Sequence, residues 1–260
     1  MGTALVVEND PTDDLRRLGD WFAEAGLGVS VVRPHRGEPL PENLDDHIAL
    51  VVLGGEQDAY PNAAGEPGAP WFPAVEALLR KAVRHRVPTL GVCLGGQLLA
   101  AAHGGLVERS TAGPEIGPAL VGRRDAADTD PLFRYVPLLP DVIQWHSDEI
   151  TELPTGAVLL AASTRYPHQA FRLGDRAWGV QFHIECDVAM IADWATDSAM
   201  LAELGYDPDA VVAATADVLP DVEEVWQPFA ARFAALAQGT LPDADIPNPG
   251  TGPTLPLLGL

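Results

Sequence analysis

The sequence predicts an α/β fold in which a mostly parallel central sheet is covered by helices on both faces. Three observations lead there. Short, mostly apolar segments (Ala4 to Val7, Val29 to Arg33, His47 to Leu53, Thr89 to Val92) read as buried strands. Stretches with apolar residues at helical spacing separate them, which is the alternation of a parallel sheet. Two of the strands run into glycines at their carboxyl ends, Gly54-Gly55 after one and Gly95-Gly96 just beyond the other, and ligands collect at such ends.

In chain order, Ala4-Leu5-Val6-Val7 is the first strand, and Leu15, Leu18, Trp21, Phe22 and Ala25 then mark one face of a helix spanning Asp14 to Ala25. Gly26 and Gly28 bracket the turn into Val29-Ser30-Val31-Val32-Arg33, completing a βαβ unit. After a Pro-rich connection comes the strand His47 to Leu53, then a polar loop. Pro70-Trp71-Phe72-Pro73 opens a helix that continues to about Arg86. From Gly104 to Gln181 the pattern changes to short strand-like pieces at Leu106 to Glu108, Ala119 to Gly122, Val142 to His146, Val158 to Ala161, Gln169 to Arg172 and Ala177 to Gln181. These are expected to add antiparallel strands. A helical pattern resumes from Asp187 to Ala237, with breaks expected near Gly205 to Pro208 and at Pro220. The stretch 239–260 is rich in proline and glycine and reads as a tail.

Composition narrows the function classes. Among 260 residues, 47% are hydrophobic and 20% charged, as in an ordinary globular chain able to bury a sizeable core. The net charge of −21 argues against nucleic acid or an anionic membrane as partner, since both require basic surface. No apolar run reaches the roughly 18 residues of a membrane span. The two cysteines, Cys93 and Cys186, suggest a reduced interior rather than a disulfide framework, so the expected location is cytoplasmic. The histidines outside the motifs below show no metal-ligand spacing, and neither metal nor cofactor is expected.

The chemistry centres on Thr89-Leu90-Gly91-Val92-Cys93-Leu94-Gly95-Gly96-Gln97, where a buried strand climbs to a cysteine and turns at once into a helix. A side chain on such a turn projects clear of the sheet, and the unpaired N–H groups of the following helix favour a thiolate. Far downstream, His183 and Glu185 end the segment Trp178 to Glu185. In an extended backbone they share a face, which supplies a base and the carboxylate that orients it. Cys186 would then face away from Glu185 and serve as a structural thiol.

These residues resemble the class I (triad) glutamine amidotransferases, whose glutaminase domain carries Gly-x-Cys-x-Gly-x-Gln and Phe-His-Pro-Glu. The first motif is complete in Gly91, Cys93, Gly95 and Gln97; the second is Phe182, His183 and Glu185, with Ile184 in place of proline. His183 follows Cys93 by 90 residues, an interval of the size that family uses. The resemblance is greatest to free-standing members similar to the glutaminase half of GMP synthase. It implies a flavodoxin-like three-layer sandwich over residues 1–190, which leaves 191–238 as a C-terminal helical extension packed on it and 239–260 as the tail. It also implies Cys93, His183 and Glu185 as catalytic residues, and the Gly55 and Leu94 N–H groups as the oxyanion hole. Gly54, Gln97 and the segment Trp145-His146-Ser147-Asp148 would be its substrate-binding residues. Glu56-Gln57 stand where the family usually has a proline, which implies a less rigid approach to Gly55. The implied activity is hydrolysis of the γ-amide of glutamine or a γ-glutamyl compound. Two alternatives stay open, a γ-glutamyl peptide or amine hydrolase and a glutaminase subunit active only beside a synthetase partner chain.

Overall fold

The computed structural model describes residues 2–196 and 198–242; most of the expected tail lies outside them. Twelve strands and six helices are described. They are β1 (Thr3–Val7), α1 (Arg16–Glu24), β2 (Gly28–Val32), β3 (Ala49–Val52), α2 (Phe72–His85), β4 (Thr89–Val92), α3 (Leu94–Ala101), β5 (Leu106–Arg109), β6 (Glu115–Leu120), β7 (Gly122–Arg123), β8 (Asp141–His146), β9 (Asp148–Glu152), β10 (Val158–Ala162), β11 (Ala170–Leu173), β12 (Ala177–Val180), α4 (Val188–Ala195), α5 (Ala199–Leu204) and α6 (Pro208–Ala237). The main sheet has the order β2-β1-β3-β4-β12-β11-β10-β7. Its first five strands pair in parallel and the remaining three join antiparallel. This is the flavodoxin-like α/β sandwich with added antiparallel strands and a helical C-terminal region.

Alternation along the central strands divides the core in two. Ala4, Val6, Val51, Leu90, Val92 and Trp178 point to one face, where α1, α4 and α6 pack. Leu5, Val7, Leu50, Val52 and Phe171 point to the other, against α2 and α3. The apolar stripe that predicted α1 is buried as Leu18, Trp21 and Phe22. Helix α2 has a proline in its first turn and stops at Arg86, whose φ of 57° is left-handed.

One expectation fails in α6, which runs through Pro220, and through Pro228, without a break. Its buried stripe, Leu219, Val222, Trp226, Phe229 and Phe233, continues across both prolines at helical spacing. Both prolines, and Ala216 and Glu224 four residues before them, lie on the exposed side, so water can serve the carbonyls that lose their donors. Tertiary packing therefore outweighs a local cost of about 3 kcal/mol per proline.

A buried carboxylate ties the antiparallel half together. Asp130 is 0% exposed. It accepts from Trp178 Nε1 at 3.1 Å, Arg172 Nε at 2.8 Å, and the Leu132 and Phe133 amides at 2.9 and 3.0 Å. Asp130→Ala leaves the Arg172 guanidinium and the indole N–H without their acceptor. The expected loss is about 3–5 kcal/mol, the usual cost of breaking a buried ion pair from one side. Urea unfolding of the two proteins measures it, and a loss below about 1 kcal/mol would contradict the role.

Candidate active site

The site forms where β4 and β12 end side by side, their register pairing Val92 with Val180. Cys93 follows Val92 at φ 49° and ψ −111°, a conformation L-residues rarely adopt, and its N–H bonds the Val180 carbonyl at 2.8 Å. The turn needs close approach of backbones. A Cβ on Gly95 would lie 1.9 Å from the Val52 carbonyl oxygen, so only glycine lets α3 seat against β3.

Beyond Val180 the chain leaves the sheet. The strand expected to carry His183 and Glu185 ends at Val180, and His183 is held instead by a two-way backbone bridge to Ile143 of β8, at 2.8 and 3.3 Å. The expected pairing survives because the Glu185 side chain folds back: His183 Nδ1 lies 2.6 Å from Glu185 Oε1, and the Ile184 N–H donates to Glu185 Oε2 at 2.9 Å. A proline at 184, as in the family motif, has no such N–H. Burial pulls the His183 pKa down, but the Glu185 carboxylate and the Cys93 sulfur outweigh it and hold the ring well above its ordinary value. Phe182, just before, rests on Trp226 of α6 with ring centroids 5.1 Å apart.

Cys186 departs from expectation. Its sulfur does not face away: it lies within 4.8 Å of ligand-type atoms of both His183 and Glu185. Burial, then Glu185 and Asp13, push its pKa well up, so it stays a thiol. With the His183 and Glu185 atoms already bonded to each other, this is a poor donor set for a metal.

A polar network leads away from Cys93. Gln181 Nε2 lies 3.6 Å from the sulfur, Gln97 Nε2 donates to Gln181 Oε1 at 3.1 Å and approaches the Asp148 carbonyl at 3.4 Å, and His146 Nδ1 lies 3.0 Å from that same carbonyl. The other ring nitrogen, His146 Nε2, lies 2.8 Å from Gln144 Oε1 and 3.4 Å from Glu115 Oε2. Burial raises the Glu115 pKa, but bonds from His146, Ser163 and Gln169 outweigh it and hold the carboxyl below its usual value. Both nitrogens of His146 are thus taken up within the network, leaving none free for a ligand. The segment Trp145 to Asp148 is strand on both sides of one residue: β8 ends at His146, β9 starts at Asp148, and Ser147 alone joins them.

A cavity opens over this cluster, lined by Cys93, Gln97, Gly55, Trp145, His146, Ser147, Asp148 and His183. Leu94 and Gly54 are not among its lining residues. The cavity also brings in Asp13 from the β1–α1 loop, Arg109 from β5 and Trp194 from α4, which belong to none of the sequence motifs. The Trp194 ring lies 4.8 Å from that of His183 and 5.6 Å from that of Trp145, and its N–H donates to the Thr12 carbonyl at 3.1 Å. It therefore roofs the histidine and tethers the loop that bears Asp13.

Comparison with known proteins places the chain in a family. The model of the glutamine amidotransferase class-I family matches residues 18–189. The chain belongs to that family. A glutamine amidotransferase-like protein of Salmonella typhimurium, YfeJ, is 34% identical over 173 residues, 66% of this chain and 70% of its own. Gamma-glutamyl peptidase 5 of Arabidopsis thaliana is 28% identical over 216 residues, 82% of this chain and 83% of its own. Among solved structures, a glutamine amidotransferase from Thermotoga maritima superposes with a TM-score of 0.79 at 26% identity, covering 90% of this chain and 98% of that one. Glutamine-hydrolysing GMP synthases match as well, the chain spanning about a quarter of their length. Among the described residues, no helix of this amidotransferase-family chain is long and apolar enough to cross a membrane.

Proposed function

We propose that the protein hydrolyses the γ-amide of glutamine or of a γ-glutamyl compound, using Cys93 as nucleophile, His183 as acid–base and Glu185 as its orienting carboxylate. The observation that carries this reading is the 2.6 Å contact between His183 Nδ1 and Glu185 Oε1 beside a cysteine on a strained strand–helix turn. Cys93 passes its proton to His183, the sulfur adds to the γ-carbonyl, and the N–H groups of Leu94 and Gly55 receive the negative oxygen. His183 gives a proton to the departing nitrogen as the C–N bond breaks. Water, deprotonated by His183, then cleaves the γ-glutamyl thioester to glutamate and free Cys93. No metal or cofactor takes part in this scheme.

The glutamate end of the substrate finds its partners across the cavity. Arg109 is the sole lysine or arginine among the lining residues and suits the α-carboxylate, while Asp58 and Asp148 suit the α-ammonium. Burial, then the nearby Asp58, raise the Asp148 pKa, and a bound ammonium would reverse that. Gln97 and His146 act indirectly, holding the Asp148 backbone in place, and Trp145 and Ser147 line the wall. Glutamate release by the purified chain, from glutamine and from γ-glutamyl compounds, tests the reading. Release only after a synthetase chain is added would favour the subunit alternative.

Arg109→Ala should raise KM roughly 10–100-fold with kcat little changed, since a charge-assisted contact to the non-reacting end of the substrate is worth about 1.5–3 kcal/mol. Steady-state kinetics on glutamine decide it. An unchanged KM would remove Arg109 from substrate binding.

A further inference from the structure

The two ends of the cavity differ in what they offer. The glutamate end holds Arg109 together with Asp58 and Asp148. The end beside His183, where the departing nitrogen must lie to receive its proton, holds Asp13, the Trp194 ring and the exposed Asp193. Asp13 and His183 both lie over Gly54: a Cβ placed on that glycine would be 2.5 Å from Asp13 Oδ1 and 3.3 Å from His183 Cε1.

Asp13 is the feature that the amidase chemistry leaves unused. It is 5% exposed and faces the cavity, and among the described residues nothing hydrogen-bonds or ion-pairs with its carboxylate. Buried carboxylates are ordinarily satisfied, and one left open toward a cavity is half of a contact. Burial lifts its pKa to about 7; His183 draws it down, whereas Glu185, Asp10 and Glu56 push it up. A carboxyl that is half ionised near neutral pH becomes a strong anion site once a cation arrives. The Trp194 indole, whose N–H holds the carbonyl of the preceding residue Thr12, lines the same end and offers a cation an aromatic ring.

Resting on the γ-glutamyl amidase reading above, we propose that the leaving group carries a second, positively charged amine, which Asp13 receives against the Trp194 ring. The substrate class is then a γ-glutamyl conjugate of a diamine or polyamine. The covalent step is unchanged. Cys93 sulfur bonds the γ-carbon, the C–N bond breaks, the departing nitrogen takes its proton from His183, and the distal ammonium leaves unaltered with the released amine. Water then converts the thioester to glutamate.

The test is a panel of γ-glutamyl amides with matched chain length and different tails, γ-glutamylputrescine (ammonium), γ-glutamylpentylamine (methyl) and γ-glutamyl-γ-aminobutyrate (carboxylate), with glutamine itself as the reference that has no tail. Glutamate release gives kcat/KM for each. The expected result is a preference of about tenfold or more for the ammonium over the methyl tail, with the carboxylate tail poorest. That ratio should grow between pH 6 and pH 8 as Asp13 ionises, and Asp13→Asn should bring it close to one, whatever the absolute rate. Asp13→Glu, keeping the charge, should retain the preference. A methyl tail cleaved as well as the ammonium tail by the unaltered protein would overturn the inference while leaving the amidase reading intact. A preference that survives Asp13→Asn would do the same. Failure to cleave any member of the panel would overturn both.

Discussion

Replacement of Cys93 by alanine should lower glutamate release roughly 10⁴–10⁶-fold, because the covalent route disappears and only binding and the oxyanion donors remain. The fold should survive. Cys93 is part of the buried core and a methyl group fits where its sulfur sits, although the strained φ of 49° is retained. A diazoketone analogue of glutamine should label Cys93 in the native protein and spare Cys186, which is buried, absent from the cavity lining and held as a thiol. Intact-mass and peptide analysis after labelling distinguishes the two cysteines. Label on Cys186 alone, or a Cys93→Ala protein with normal turnover, would end the proposed mechanism.

The second large effect falls on the pair behind the sulfur. His183→Ala should cost roughly as much as loss of Cys93, since the imidazole moves the proton in both half-reactions. Glu185→Gln should cost less, roughly 10²–10⁴-fold, since a carboxylate that orients and stabilises an imidazolium transfers nothing itself. Its pH profile carries a separate signature. The Glu185 charge is one of the causes holding the His183 pKa up, so the amide variant should lose the protonated ring at lower pH than the parent. The limb of the pH–rate profile governed by His183 must therefore move downward in pH. A limb that stays in place would mean that Glu185 does not set the charge of His183.

The part of this arrangement carried by local pattern was legible in the sequence. Buried strands announce themselves by continuous apolar runs, and Cys93 sits on a turn whose Gly95 and Gly96 are forced by close approach to the backbones of β3 and β12. Glu185 was placed beside His183 on the assumption of an extended strand. The pairing holds, but a folded-back side chain and the Ile184 amide make it, and the same misjudged backbone put Cys186 on the wrong side. Asp13, Arg109 and Trp194 were out of reach for a different reason. Asp13 is one acid in a polar loop, Arg109 one of many arginines, and Trp194 an apolar residue in an apolar helix. Only tertiary structure brings three separate elements to one cavity. The single clue was position, since the Asp13 loop follows the carboxyl end of β1. Pro220 misled in the opposite sense, because a helix breaker by local rules sits on the wet side of a helix whose other side is fully packed.

The indole of Trp194 lies just past the last residue matched by the family model, and it leans on the ring of His183. The stretch matched by the family model is therefore not a detachable cassette here. An engineer who excised residues 1–190 to fuse them elsewhere would strip the cover from His183 and bare the faces of Phe22, Phe133 and Phe182 that now meet α6 side chains. Conversely, exchanging the segment from 191 to 238 between relatives would transplant one wall of the substrate cavity while leaving Cys93, His183 and Glu185 untouched.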